Sequence, residues 1–208
     1  MNPNDLSTIG AGFSQEAFGS QHAFRAALQA LSHPGRLVDI VHDAEVPRCG
    51  HAASAALLLA LLDTDCQIWL SPSLRNSEAA AWLRFHTGCK LVQTCREAQF
   101  AWVADTDELP PLQDFAWGSE NYPDQSTTCV IDVRALAGGD DTGTGWLLRG
   151  PGIQSQFRLT VDGLPPDFVA QWSDNQSAFP RGLDLFLASR QQIVGVPRTT
   201  RIDISVEA

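Results

Sequence analysis

Three short segments carry residue types that could do chemistry. The first is Trp82-Leu83-Arg84-Phe85-His86-Thr87-Gly88, with an Arg and a His two apart at the end of a helical stretch. These two either complement the negative end of the helix dipole or line an anion site. The second is Phe179-Pro180-Arg181-Gly182-Leu183-Asp184, a turn feeding a strand, whose Asp can hold the loop by hydrogen bonds. The third is Val196-Pro197-Arg198-Thr199-Thr200-Arg201, where two arginines flank two hydroxyls after a proline. Guanidinium forks and hydroxyls are a donor set for phosphate. On a regular strand Thr199 and Thr200 face opposite ways, so Thr200 shares a side with Arg198. The candidate anion- or ligand-binding residues are therefore Arg84, His86, Arg198 and Thr200. The alternative for Arg198 is a bidentate pair with an internal carboxylate such as Asp184, holding two strands together.

Other chemistries find no motif. His22, His33, His42, His51 and His86 form no H-x-H, H-x-x-x-H or H-E-x-x-H, so no element presents two imidazoles to one metal ion. There is no G-x-x-x-x-G-K-[ST], and Gly138-Gly139 with Gly143 lacks dinucleotide spacing and reads as a hairpin turn. No serine sits in G-x-S-x-G. Lys90 is the sole lysine and so the sole candidate for a Schiff base. It follows Cys89 at a helix exit, with no Gly/Ser-rich phosphate cup beside it. No catalytic, cofactor-binding or metal-binding residue is thus singled out.

The elements that must position these residues belong to a chain of 208 residues, enough for one domain with a sizeable core. Fourteen Lys+Arg against 24 Asp+Glu give a net charge of −10, which argues against nucleic acid and against an anionic membrane surface. The longest apolar run, Ala52 to Leu62 with one Ser, is too short to span a bilayer, and the N-terminus lacks a signal-peptide pattern. Five cysteines, none in C-x-x-C, read as reduced thiols of a cytoplasmic protein.

Residues 1–14 read as a flexible arm and residues 15–208 as a single α/β domain. A first helix is expected over 15–31, with Phe24, Leu28 and Leu31 on one apolar face, ended by Ser32-His33-Pro34-Gly35. A short strand should cover 36–41. A helix too apolar for a wet face should cover 50–62. Asn76 can cap a helix carrying Ala79, Ala80, Trp82 and Leu83, and Pro165 suits the start of another with Phe168, Val169 and Trp172. Strands are expected over 66–70, 100–104, 127–133, 146–148, 157–161, 183–188, 191–194 and 200–206, with turns over 71–73 and 138–143 and an acidic Pro-rich loop to about Asp124. Helix–strand alternation followed by a strand-rich half predicts a mixed, partly parallel sheet flanked by helices. Six Trp and ten Phe, several near turns, suggest a homodimer that buries apolar surface.

Six pieces in order resemble one family. They are Phe24-Arg25-x-x-Leu28 with Ser32-x-Pro34-Gly35; Leu57 to Asp63, Asp65 and Trp69-Leu70-Ser71; Leu83-Arg84-Phe85-His86-Thr87; Gly150-x-Gly152-Ile153; Phe179-Pro180-x-Gly182-x-Asp184; and Pro197-Arg198-Thr199-Thr200. Together, from Ala17 to Arg201, they are similar to PhnH of the bacterial carbon–phosphorus lyase (phosphonate utilisation) system. The resemblance implies a fold similar to the large domain of pyridoxal-phosphate-dependent transferases, without the cofactor site. It implies a cytoplasmic homodimer without cofactors. It further implies a non-catalytic or shared-site subunit of alpha-D-ribose 1-methylphosphonate 5-triphosphate synthase, working with PhnG, PhnI and PhnJ. That complex uses ATP and an alkylphosphonate and releases adenine. The alternative is a stand-alone transferase-like enzyme using pyridoxal phosphate or a phosphate-bearing substrate.

Overall fold

Strands buried on both faces must be apolar at nearly every position, and the chain supplies several. The structure, a computed structural model, describes residues 9–139 and 145–205. In it β1 (Val38–Asp39), β2 (Gln67–Leu70), β3 (Lys90–Leu91), β4 (Phe100–Val103), β5 (Thr128–Asp132), β9 (Asp184–Ala188) and β10 (Gln192–Val196) form one mixed sheet in the order β1-β10-β9-β5-β4-β2-β3. From β9 to β3 every neighbouring pair is parallel. β10 turns back antiparallel beside β9, and β1 pairs antiparallel with β10. A second sheet is antiparallel, in the order β11 (Arg201–Ser205), β7 (Gly145–Arg149), β8 (Phe157–Asp162), β6 (Ala135–Gly138). The expected mixed, partly parallel α/β architecture is present.

Side chains alternate across the large sheet and divide the core in two. Ile68, Leu70, Trp102, Val130, Phe186 and Ile193 meet α1 (Glu16–Ser32), α2 (Ala52–Leu61) and α4 (Glu78–Thr87) on one face. Ala101, Val103, Cys129, Ile131, Leu185 and Leu187 meet α5 (Phe168–Ser177) and the second sheet on the other.

α1 packs through alanines. Ala23, Ala26, Ala27 and Ala30 are its buried face. Opposite them, β10 carries Gly195, where a Cβ would lie 2.5 Å from backbone atoms of Ala30. Helix and strand backbones therefore touch. Phe24 and Leu28, from the apolar spacing seen in the sequence, instead face outward at 47% and 52% exposure.

Several boundaries differ from expectation. Ser77, not Asn76, caps α4, its side chain accepting from Ala79 N–H; Asn76 ends the short α3 (Pro72–Arg75), which stands where a turn was expected. α5 begins at Phe168, because Pro165 lies in the preceding turn and its carbonyl accepts the Phe168 N–H. The strand expected over 36–41 shrinks to β1: the chain follows β10 from Gly35 to Ile40, but only two residues join the ladder. β3 and β6 carry too little pattern to be read, the one having two residues and the other being Ala/Gly-rich. The turn expected over 138–143 lies mostly outside the described residues, as do residues 1–8 of the expected arm. Residues 9–14 lie against the body. Gly10 O accepts from Trp82 Nε1–H and His86, Ala11 bonds to Glu45, and Ser14 bonds to Asp43.

Candidate functional site

The second and third sequence segments meet at the amino ends of the parallel strands. Arg198 follows β10 and reaches Asp184, the first residue of β9. Its Nη2 lies 2.5 Å from Asp184 Oδ2 and its Nε 3.2 Å from Oδ1. Its remaining N–H groups go to Pro123 O, Pro180 O and Ser126 Oγ. All five guanidinium donors thus have internal acceptors. Thr200 is fully buried, its hydroxyl without a partner among the described residues, and its carbonyl accepts the Trp172 Nε1–H. Arg84 is exposed and His86 half-buried near the end of α4, where His86 Nε2 donates to Gly10 O at 2.9 Å. α4 leads into β3, at the far edge of the sheet from β10. No hydrogen bond, ion pair or ring contact joins Arg84 or His86 to Arg198 or Thr200, so the four do not form one cluster. Lys90 is exposed at the amino end of edge strand β3.

The opposite, carboxyl edge of the sheet carries a different constellation, and this is where open α/β sheets bind ligands. Asp132 ends β5, and the chain just before α2 lies over it. Its carboxylate accepts from His51 N–H at 2.8 Å, from Ser54 Oγ at 2.5 Å and from Trp102 Nε1 at 3.1 Å. It is 1% exposed. Burial pushes its carboxyl above the ordinary range; the nearby His51 and these three donors oppose that rise without cancelling it.

His51 is the residue before α2, so its ring is held by the helix start. Nδ1 lies 3.0 Å from the carbonyl of Ala188, the last residue of β9. A carbonyl only accepts, so Nδ1 carries the hydrogen and Nε2 is the nitrogen left to face other groups. Nε2 faces Asp105 Oδ2 at 3.5 Å, just beyond β4. Asp105 has no closer side-chain partner among the described residues. His51 and Asp105, with Arg48, Cys49, Arg190 and Gln191, line an open pocket of about 470 Å³. The segment after β4, the turn between β9 and β10 and the start of α2 thus converge on it, while Asp132 holds His51 from behind without lining it. No group of three or more His, Cys, Asp or Glu among the described residues could hold a metal ion. The five thiols are free. Cys129 is fully buried, and that burial pushes its thiol well above the ordinary range.

Sequence reasoning missed His51, Asp132, Asp105 and Arg190, because they lie far apart in the chain and form no motif. One signal was available. Asp132 closes the apolar run Cys129-Val130-Ile131, and a carboxylate on a strand buried on both faces needs partners.

Comparison with known proteins gives a consistent answer. The family model described as bacterial phosphonate metabolism protein (PhnH) matches residues 11–203. The chain is similar to the alpha-D-ribose 1-methylphosphonate 5-triphosphate synthase subunit PhnH of Rhizobium meliloti (strain 1021), 37% identical over 191 residues, 92% of this chain and 94% of the relative. It is also similar to HtxG of Stutzerimonas stutzeri, named as a C-P lyase subunit protein, 32% identical over 184 residues, 88% of this chain and 86% of the relative. Family match and near-full-length similarity agree: the chain belongs to the PhnH family of bacterial phosphonate metabolism proteins.

Proposed function

We propose that this chain is a cytoplasmic subunit of the carbon–phosphorus lyase system, serving alpha-D-ribose 1-methylphosphonate 5-triphosphate synthesis with PhnG, PhnI and PhnJ. The observation that carries this is the 37% identity to the Rhizobium meliloti subunit over nearly the whole of both chains. The sequence features fit a subunit: a large core with no motif for a nucleophile, a phosphate loop or a metal. The chain pairs with a second copy, and the outward Phe24 and Leu28 of α1 supply apolar surface for that contact. The layered α/β body is akin to the large domain of pyridoxal-phosphate-dependent transferases, with Lys90 on an edge strand away from the His51 pocket. Arg84, exposed on α4, is free to meet an anionic group on a partner.

The test is co-expression with PhnG, PhnI and PhnJ and capture through a tag on this chain. Recovery of all three in fixed ratio supports the reading. Capture of the tagged chain alone, under conditions where the other three assemble, overturns it.

A further inference from the structure

Exposed ionisable groups are ordinarily satisfied by water, so what is informative is their convergence round one cavity beside an imidazole held by the backbone. The His51 pocket gathers several. Arg190 is exposed and lines it, and its guanidinium makes no hydrogen bond or ion pair among the described residues. Arg48 lines it too; its backbone N–H bonds to Glu78, and its charge also acts on that carboxylate, without a side-chain hydrogen bond. Among the described residues the one ion-pair contact of Asp105 is with His51 Nε2, at 3.5 Å, too far for a strong bond. The Nδ1 contact to Ala188 fixes the imidazole, so Nε2 is always the nitrogen presented.

These groups differ in what they ask of a ligand. Two guanidiniums suit a tetrahedral oxyanion that offers several oxygens and more than one charge; a single carboxylate would engage one fork. Asp105 repels a second anion. The space between its oxygen and Nε2 suits a hydroxyl, which donates and accepts at once. About 470 Å³ holds a small molecule carrying both.

We propose that this pocket binds a small hydroxylated phosphate-class anion, with Arg48 and Arg190 on the oxyanion and the His51 Nε2–Asp105 pair on the hydroxyl. Asp132 is a positioning residue: it holds the His51 backbone and Ser54 and touches no ligand.

Calorimetric titration of the isolated full chain tests this, with glycerol 3-phosphate and inorganic phosphate as probes. Both bind, glycerol 3-phosphate more tightly. Arg190→Ala weakens both by about tenfold or more, as loss of a charged hydrogen bond should. His51→Asn keeps a donor for Ala188 and deletes Nε2. It weakens glycerol 3-phosphate by about tenfold and leaves phosphate unchanged. Where His51→Asn lowers the melting temperature, Asp105→Asn reads the same contact from the more exposed side. No saturable heat with either probe at millimolar concentration overturns the proposal. So does glycerol 3-phosphate binding that survives these substitutions. Because no other subunit is present, failure here is separate from failure of the subunit assignment.

Discussion

Arg198 and Asp184 tie the end of β10 to the start of β9. The guanidinium grips both carboxylate oxygens, while the Arg198 backbone N–H donates to Oδ1 at 2.8 Å. Their side chains are only 13% and 27% exposed. The same guanidinium reaches Pro123, Ser126 and Pro180, so one residue gathers the loops at the amino edge of the sheet.

Arg198→Lys keeps the charge and loses the fork. Asp184, Ser126 and two carbonyls are left short of donors, and the fold should lose about 2–3 kcal/mol. Urea denaturation of the purified variant measures this. An unchanged midpoint, with loss of complex function, would place Arg198 in a ligand site instead.

Asp132→Asn should destabilise the fold by about 2–3 kcal/mol, because with its oxygen kept for Ser54 and Trp102 the amide turns its NH2 toward the His51 N–H, donor against donor. The pH dependence carries a definite sign. Burial raises the native carboxyl above its unfolded value. The native state therefore holds this proton to higher pH, and the group's contribution favours folding increasingly as pH falls from its native pKa toward about 3.9. Asn does not titrate, so the deficit of the variant should widen from neutral to mildly acidic pH. Parallel denaturation curves at the two conditions check it; a deficit that narrows toward acid contradicts it.

Gly195→Val drives a side chain into the backbone of Ala30. α1 must lift from β10, at a cost of about 3 kcal/mol. Thermal melts followed by circular dichroism report it, and a melting temperature within a degree or so of the parent would deny the close approach.

Phe24→Asp with Leu28→Asp alters only the outward face of α1, so the variant should still fold, with a melting temperature that no longer rises with protein concentration as a dimer's does. Light scattering should show the parent as a dimer and the double variant as a monomer. A monomeric parent at micromolar concentration removes the proposed self-association.

The fold was legible where pattern is local. The apolar runs of β2, β4, β5 and β9 and the Ala/Leu-rich α2 announced themselves, because burial on both faces leaves no polar position. The direction of α1 was not legible: Phe24 and Leu28 have the right spacing for a core face, yet the alanines and Gly195 win by letting backbones touch. Asp184 could be named as a partner for Arg198, since both stood in recognisable segments. The His51 pocket escaped notice because Asp105, Asp132, Ala188 and Arg190 come together only when the parallel strands are laid in order.

Adenine release tests the central claim most directly. PhnG, PhnI and PhnJ are supplied with ATP and methylphosphonate, with and without this chain. Adenine release matched by consumption of methylphosphonate should occur only in the full mixture, and this chain alone should show neither. Equal methylphosphonate consumption without this chain, or consumption by this chain alone, would contradict its role as a subunit of the phosphonate-activating complex.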